Sequence, residues 1–119
     1  MNPDYRVQHG DILLTNCEPS VGAEIKKIRP CVVIQSERLN RMSSLLTVIP
    51  ITSQVEKPFF ADIVIPRDEH NHLNGDALVR TSQIFTYDRS RFLKLIGRCS
   101  PPILRQIKEQ LMVNFQLTT

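Results

Sequence analysis

The chain has 119 residues, 41% of them hydrophobic, which is enough for one domain with one core and too little for two. A formal net charge of +3 makes it mildly basic, compatible with a polyanionic partner without requiring one. Its three cysteines, Cys17, Cys31 and Cys99, are far apart and odd in number, and no apolar run reaches membrane-spanning length. These features argue against a disulfide frame, a cysteine-based zinc site and a membrane span. The polar start MNPDYRVQHGD also lacks the apolar region of a signal peptide, so a soluble cytoplasmic domain with reduced thiols is expected.

In chain order, DILLTNC (11–17) reads as a first strand and EPSVGAEIKKIRP (18–30) as a loop punctuated by Pro19 and Gly22. CVVIQS (31–36) is a second strand, ERLNRMSS (37–44) a polar connection, and LLTVIPITS (45–53) a third strand. Pro50 within it suggests an edge or a bulge, because proline cannot donate to a ladder. FFADIVIP (59–66) is a fourth strand, followed by a turn through Asn74-Gly75. ALVRTSQIFTYD (77–88) reads as a fifth strand, and FLKLIGRC (92–99) as a helical turn or a sixth. Ser100 is placed to cap a terminal helix opening on Pro101-Pro102, with Ile103, Leu104, Ile107, Leu111, Met112 and Phe115 at helical spacing. Many short strands and one terminal helix predict a mainly β fold, a small curled antiparallel barrel forming a single domain over 1–119.

The chemistry begins at KKIRP (26–30). Arg29 stands at the mouth of a strand just after Lys26 and Lys27. It is either a surface charge or a fork set for an anion. Glu24 lies in the loop before it. His70-Asn-His72 resembles a metal-ligand pair, but its polar turn offers no cysteine and only loosely placed carboxylates, so neither a metal nor a cofactor is expected. The terminal helix has no strongly basic polar face, which makes membrane binding improbable.

GDILLTNCEPSVGAEIKKIRPCVVIQ resembles the opening of the MazF/PemK (Kid-like) toxin family, with a G-D start, a D/E-P-S/T-x-G-x-E loop and an R-P-x-V-V-I strand. VIPITSQ (48–54) is similar to the family's second motif and GDALVRTSQIFTYD (75–88) to its third. The resemblance implies an SH3-like barrel resembling that of the CcdB toxins, acting as a homodimeric toxin of a type II toxin–antitoxin system. It would cleave single-stranded RNA sequence-specifically and without metal, leaving a 2′,3′-cyclic phosphate and a 5′-hydroxyl. A cognate antitoxin with an acidic C-terminal segment would restrain it. The implied catalytic set is Arg29, Thr52 and Glu24; the implied substrate contacts are Lys26, Lys27, Ser53, Gln54, Arg80 and Ser82. Ser82 stands where some members carry an acid, and Ala23 where some carry a histidine. Arg38, Arg41 and Lys57 are further candidates for a basic groove. Two other readings stay open, a gyrase-binding toxin of the CcdB kind and a non-catalytic RNA-binding barrel. A dimer is expected to bury the terminal helix and the strands near Val48 and Ile51. The 18–28 loop is expected to be mobile in the free protein and displaced when the antitoxin binds.

Overall fold

The computed structural model describes residues 1–117. Seven strands form it, β1 (Asp11–Asn16), β2 (Ile28–Val33), β3 (Leu45–Thr52), β4 (Asp62–Ile65), β5 (Ala77–Arg80), β6 (Phe85–Asp88) and β7 (Phe92–Arg98), with helices α1 (Glu37–Met42) and α2 (Pro101–Asn114). All pairings are antiparallel. The path runs β4-β5-β3-β2-β1-β7, with β6 also on β3. The end strands β4 and β7 are not paired with each other, so the sheet curls without closing.

The inner strands are apolar at successive positions because both faces of the sheet are covered. Ile12, Val32, Ile49, Ile51 and Val79 bury one face beneath Ile107 of α2. Leu13, Cys31, Val33, Leu46 and Val48 bury the other with Val7 and Phe92. Alternation in this sheet therefore sorts two cores rather than core from solvent. All three cysteines are buried free thiols.

Pro50 lies in a central strand, not at an edge. β3 pairs with β6 through Leu45–Val48 and with β5 through Ile51–Thr52, and Pro50 falls in the gap between the two ladders, where no donor is needed. The expected fifth strand is two strands. A turn at Thr81–Ser82, with the Gln83 amide donating to the Arg80 carbonyl at 3.0 Å, redirects the chain from one stretch of β3 to another. The polar 37–44 connection contains α1, whose N-cap Ser36 accepts from the Leu39 amide. β2 starts three residues earlier than expected, at Ile28, which places Arg29 inside the strand. The 92–99 segment is a strand, and the fourth strand is confined to Asp62–Ile65.

The loop before β5 does not make a tight Asn-Gly turn. It is built around buried Asn71, which accepts from the Asp68 and Leu73 amides and donates to the Pro66 carbonyl. Ser100 occupies the N-cap position of α2 but makes no side-chain capping bond there; the two prolines need none. Val48 and Ile51 are fully buried within the chain, which removes them from any dimer surface. On α2, Met112, Val113 and nearby Phe115 remain exposed.

Candidate active site

Arg29 and Thr52 lie just beyond the same end of the β2–β3 ladder. β2 and β3 pair Cys31 with Pro50 and Val32 with Ile49; their ladder stops there, and the next residues of β3, Ile51 and Thr52, pair with Val79 and Leu78 of β5. Arg29 itself is paired with Thr15 of β1. The Arg29 Nε donates to the Lys26 carbonyl at 3.1 Å in an exposed bond, which steers the guanidinium back over the loop. Thr52 is only 2% exposed, and its Oγ1 accepts from the Gln54 amide at 3.3 Å. A hydroxyl used as an acceptor keeps its proton for donation elsewhere. Arg29 is thus half-buried within β2, while Thr52 lies beneath its neighbours.

Arg29 and Glu24 line separate concavities. Arg29 and Ser53 line a groove of about 770 Å³ together with Ile28, His72, Lys94 and Leu95. Glu24 and Ser82 share a smaller one of about 400 Å³, with Gln83 and Phe85. The Glu24 Oε1 accepts from the Val21 amide at 2.8 Å, closing a small turn at the loop tip.

The base of that loop is clamped. Glu18 Oε1 accepts from the Lys27 amide at 2.8 Å, and Lys27 takes a positive φ of 68° to make this fit. Arg91 donates to the Glu18 carbonyl and lies 5.0 Å over the Tyr87 ring. The Lys27 amide, above all, holds the Glu18 carboxyl below its ordinary 4.5. A depressed carboxyl stabilises the fold above its unfolded pKa and loses that contribution as pH falls through the folded value. The clamp is therefore expected to be intact above about pH 4.5 and to loosen on acidification below it. Amide exchange at Lys27 followed from pH 6 to pH 3, corrected for intrinsic rates, tests this; unchanged protection at pH 3 would refute it.

The Cys17 thiol is pulled down by the neighbouring Cys31 thiol first and then by Tyr87 and the Arg29 and Arg91 charges. Its partner Cys31 is pushed up, first by the Cys17 thiol and then by burial.

Several expected contacts are placed elsewhere. Arg80 grips Asp62 through Nε at 3.3 Å and Nη2 at 3.0 Å, and the Asp62 side chain is 2% exposed. Arg80 is thus committed to a strand-to-strand ion pair and is unavailable as a phosphate contact. Arg38 and Arg41 sit on α1, beyond the far end of β2 from Arg29, so they do not extend its cationic cluster. Lys26, Lys27, Gln54 and Lys57 are exposed on the flanking loops. Aromatic surface is more concentrated than composition suggests, because Phe59, Phe60 and Phe115, all exposed, line one further groove that includes Ser82. Residue-level reading missed Gln83, whose side chain bonds the Glu24 loop, and Arg91; the adjoining T-S-Q was the only signal for the first. No cluster of three or more metal-ligating side chains occurs among the described residues, and no helix among them is long and apolar enough to cross a membrane.

Comparison with known proteins decides the family. Residues 8–115 match the family described as "PemK-like, MazF-like toxin of type II toxin-antitoxin system". The chain belongs to this family. It is 28% identical over 116 residues to Endoribonuclease MazF9 of Mycobacterium tuberculosis, covering 93% of this chain and 98% of that protein. It is also 28% identical over 111 residues to Endoribonuclease EndoA of Bacillus subtilis, covering 93% and 96%. The crystal structure of MazF from Deinococcus radiodurans superimposes with a TM-score of 0.82 at 23% identity, over 95% of this chain and 99% of that one. A mycobacterial endoribonuclease in complex with its cognate antitoxin superimposes at 0.70 and 14% identity, over 100% and 99%. These likenesses confirm the curled sheet with its terminal helix as the family's fold.

Proposed function

We propose that this PemK/MazF-family toxin is a metal-independent endoribonuclease acting on single-stranded RNA, with Arg29 and Thr52 at the scissile phosphate and Glu24 beside it. The observation that carries this reading is that Arg29 and Thr52 lie just beyond the same end of the β2–β3 ladder, with Arg29 and Ser53 lining one groove. The full-length similarity to two endoribonucleases supports it.

RNA carries its own nucleophile, the 2′-hydroxyl, so the protein's tasks are few. A base takes the 2′ proton, donors stabilise the pentacoordinate phosphorus, and the 5′-oxygen leaves with a proton. The products are a 2′,3′-cyclic phosphate and a 5′-hydroxyl. Arg29 suits the second task, because its planar fork fits two phosphate oxygens and it stays charged. Thr52 adds one O–H donor. Glu24, a carboxylate on an exposed loop, suits the first task. Releasing Arg29 from the Lys26 carbonyl costs only about 0.5–1.5 kcal/mol, so the guanidinium is free to swing toward a bound phosphate.

Lys26, Lys27, Ser53, Gln54 and Ser82 are the proposed substrate contacts around these groups. Incubating the protein with a long single-stranded RNA in EDTA tests the reading. Fragments of defined sequence with cyclic phosphate ends support it, and intact RNA overturns it.

The partner in this reading is an antitoxin whose acidic segment competes with RNA for the same cations, as the antitoxin-bound relative suggests. The acting form is a homodimer. With Val48 and Ile51 internal, the surface that fits is the groove rim, where Ile28 and Leu95 stay 52% and 41% exposed beside Arg29. Sedimentation at micromolar concentration is expected to give twice the chain mass, and Leu95→Glu to shift it toward the monomer. A wild-type monomer would remove the dimer from this account.

A further inference from the structure

We propose that Gln83 is a positioning residue for cleavage, its side-chain amide standing in for a missing strand neighbour on both sides of Glu24. The inference rests on the ribonuclease reading, in which Glu24 works at the 2′-hydroxyl.

The geometry is specific to an uncharged amide. The Gln83 Oε1 accepts from the Ile25 N–H at 2.7 Å, and its Nε2 donates to the Ala23 carbonyl at 3.2 Å. These two backbone groups flank Glu24 on either side. An antiparallel neighbour would satisfy the same pair by offering one acceptor and one donor. The loop has no such strand beside it, and the amide supplies both functions from one planar group. A carboxylate could serve only the Ile25 N–H, and an ammonium only the Ala23 carbonyl.

Gln83 is itself anchored on the sheet. It sits between β5 and β6, and its backbone N–H donates to the Arg80 carbonyl at 3.0 Å. Arg80 is in turn fixed by Asp62 of β4. Position thus passes from three strands through one side chain to the loop tip. The loop's other attachments do not duplicate this one. Glu18 and Arg91 hold its base, and Ile25 is packed in the core. Val21, Ala23 and Glu24 are exposed, and the bond from Val21 to Glu24 closes the tip only on itself. Without the amide, residues 20–24 pivot about Ile25 and carry the Glu24 carboxylate with them. Misplacing a reacting group by about 1 Å can cost roughly a hundredfold in rate.

The test is Gln83→Met, which keeps length and removes both bonds, beside Gln83→Glu, which keeps only the acceptor. Hydrogen exchange in the RNA-free protein reads the positioning directly. The Ile25 amide is expected to lose protection in Gln83→Met and to keep it in Gln83→Glu, with the exchange of core strands unchanged. Cleavage is expected to fall about 10- to 100-fold in both variants, mostly in kcat with KM within about threefold. In a Glu24→Gln background, Gln83→Met is expected to add nothing, because its effect passes through Glu24. Unchanged Ile25 exchange in Gln83→Met overturns the proposal. So does a multiplicative loss in the double variant, or a loss confined to KM, either of which would make Gln83 a direct RNA contact. Altered exchange in a protein whose wild type does not cleave RNA would instead leave the loop bracket standing and remove the ribonuclease reading.

Discussion

Replacing Arg29 with alanine is expected to lower RNA cleavage by about a hundred- to a thousandfold while the protein stays folded. Removing one preorganised donor from a developing oxyanion typically costs that much, and Arg29 offers two donors to the same phosphate. The fold should tolerate the change. Arg29 gives up one exposed hydrogen bond to the Lys26 carbonyl, worth about 0.5–1.5 kcal/mol, while Pro30 and Cys31 keep β2 in register. Arg29→Lys separates charge from geometry, since an ammonium keeps the cation but not the fork. If lysine restores most of the rate, Arg29 acts as a charge; if it restores little, bidentate contact is required. Alanine cleaving at close to the wild-type rate would remove Arg29 from the site. Thr52→Val needs more care, because it also strips the Gln54 N–H of its acceptor, so Thr52→Ser is the matching control.

The largest loss of stability is expected at Asp11, in the G-D pair that opens the first strand. Its side chain is completely buried. It accepts from the Tyr5 hydroxyl at 2.7 Å, the Gln8 amide at 2.8 Å and the Arg98 guanidinium at 2.9 Å. These bonds join the N-terminal segment to the end of β7. The phenol is correspondingly hard to ionise, its pKa pushed up to about 12 by burial and by this carboxylate. Asp11→Ala strands a phenol and an amide and releases a half-exposed arginine. Each bond to a charged acceptor contributes roughly 1.5–3 kcal/mol, and the groups partly rehydrate, so a net loss of about 3 kcal/mol is expected. For a chain of this size that is a fall in Tm of roughly 12 °C. A shift below about 3 °C would mean the network is dispensable.

How much of this was legible in the sequence depended on how local the cause was. The inner strands were readable because Cys31-Val32-Val33 and Leu46 to Ile51 serve two cores at once and leave long apolar runs. The terminal helix was readable from its prolines and the spacing of Ile103, Ile107 and Leu111. Helix α1 was not, since six mostly polar residues are too few to show a stripe, although Ser36 and Glu37 were signals of a helix start. The break at Thr81–Ser82 carries no glycine or proline, so β5 and β6 read as one run. Arg29 and Thr52 were found through motifs, and the pairing that sets them at one end of the β2–β3 ladder is a property of the folded sheet. The ion pair of Arg80 was not visible because its partner Asp62 is 18 residues away and meets it only once β4 and β5 pair. Gln83 was overlooked because an uncharged amide announces nothing until the loop it brackets is folded against it.

The arrangement of β3 has a consequence for synthesis. One of its sides meets β2, which emerges first, but the other waits for β5 and β6, and the Asp88 that pairs with Leu45 lies 43 positions later. The core then stays open until Ile107 arrives on α2. A ribosome exposes the chain from its N-terminus, so Arg29 and Thr52 leave the tunnel well before β5, β6 and α2 are available to complete the sheet and its core. The fold that carries the proposed site therefore cannot close on a nascent chain before β5, β6 and α2 have been made.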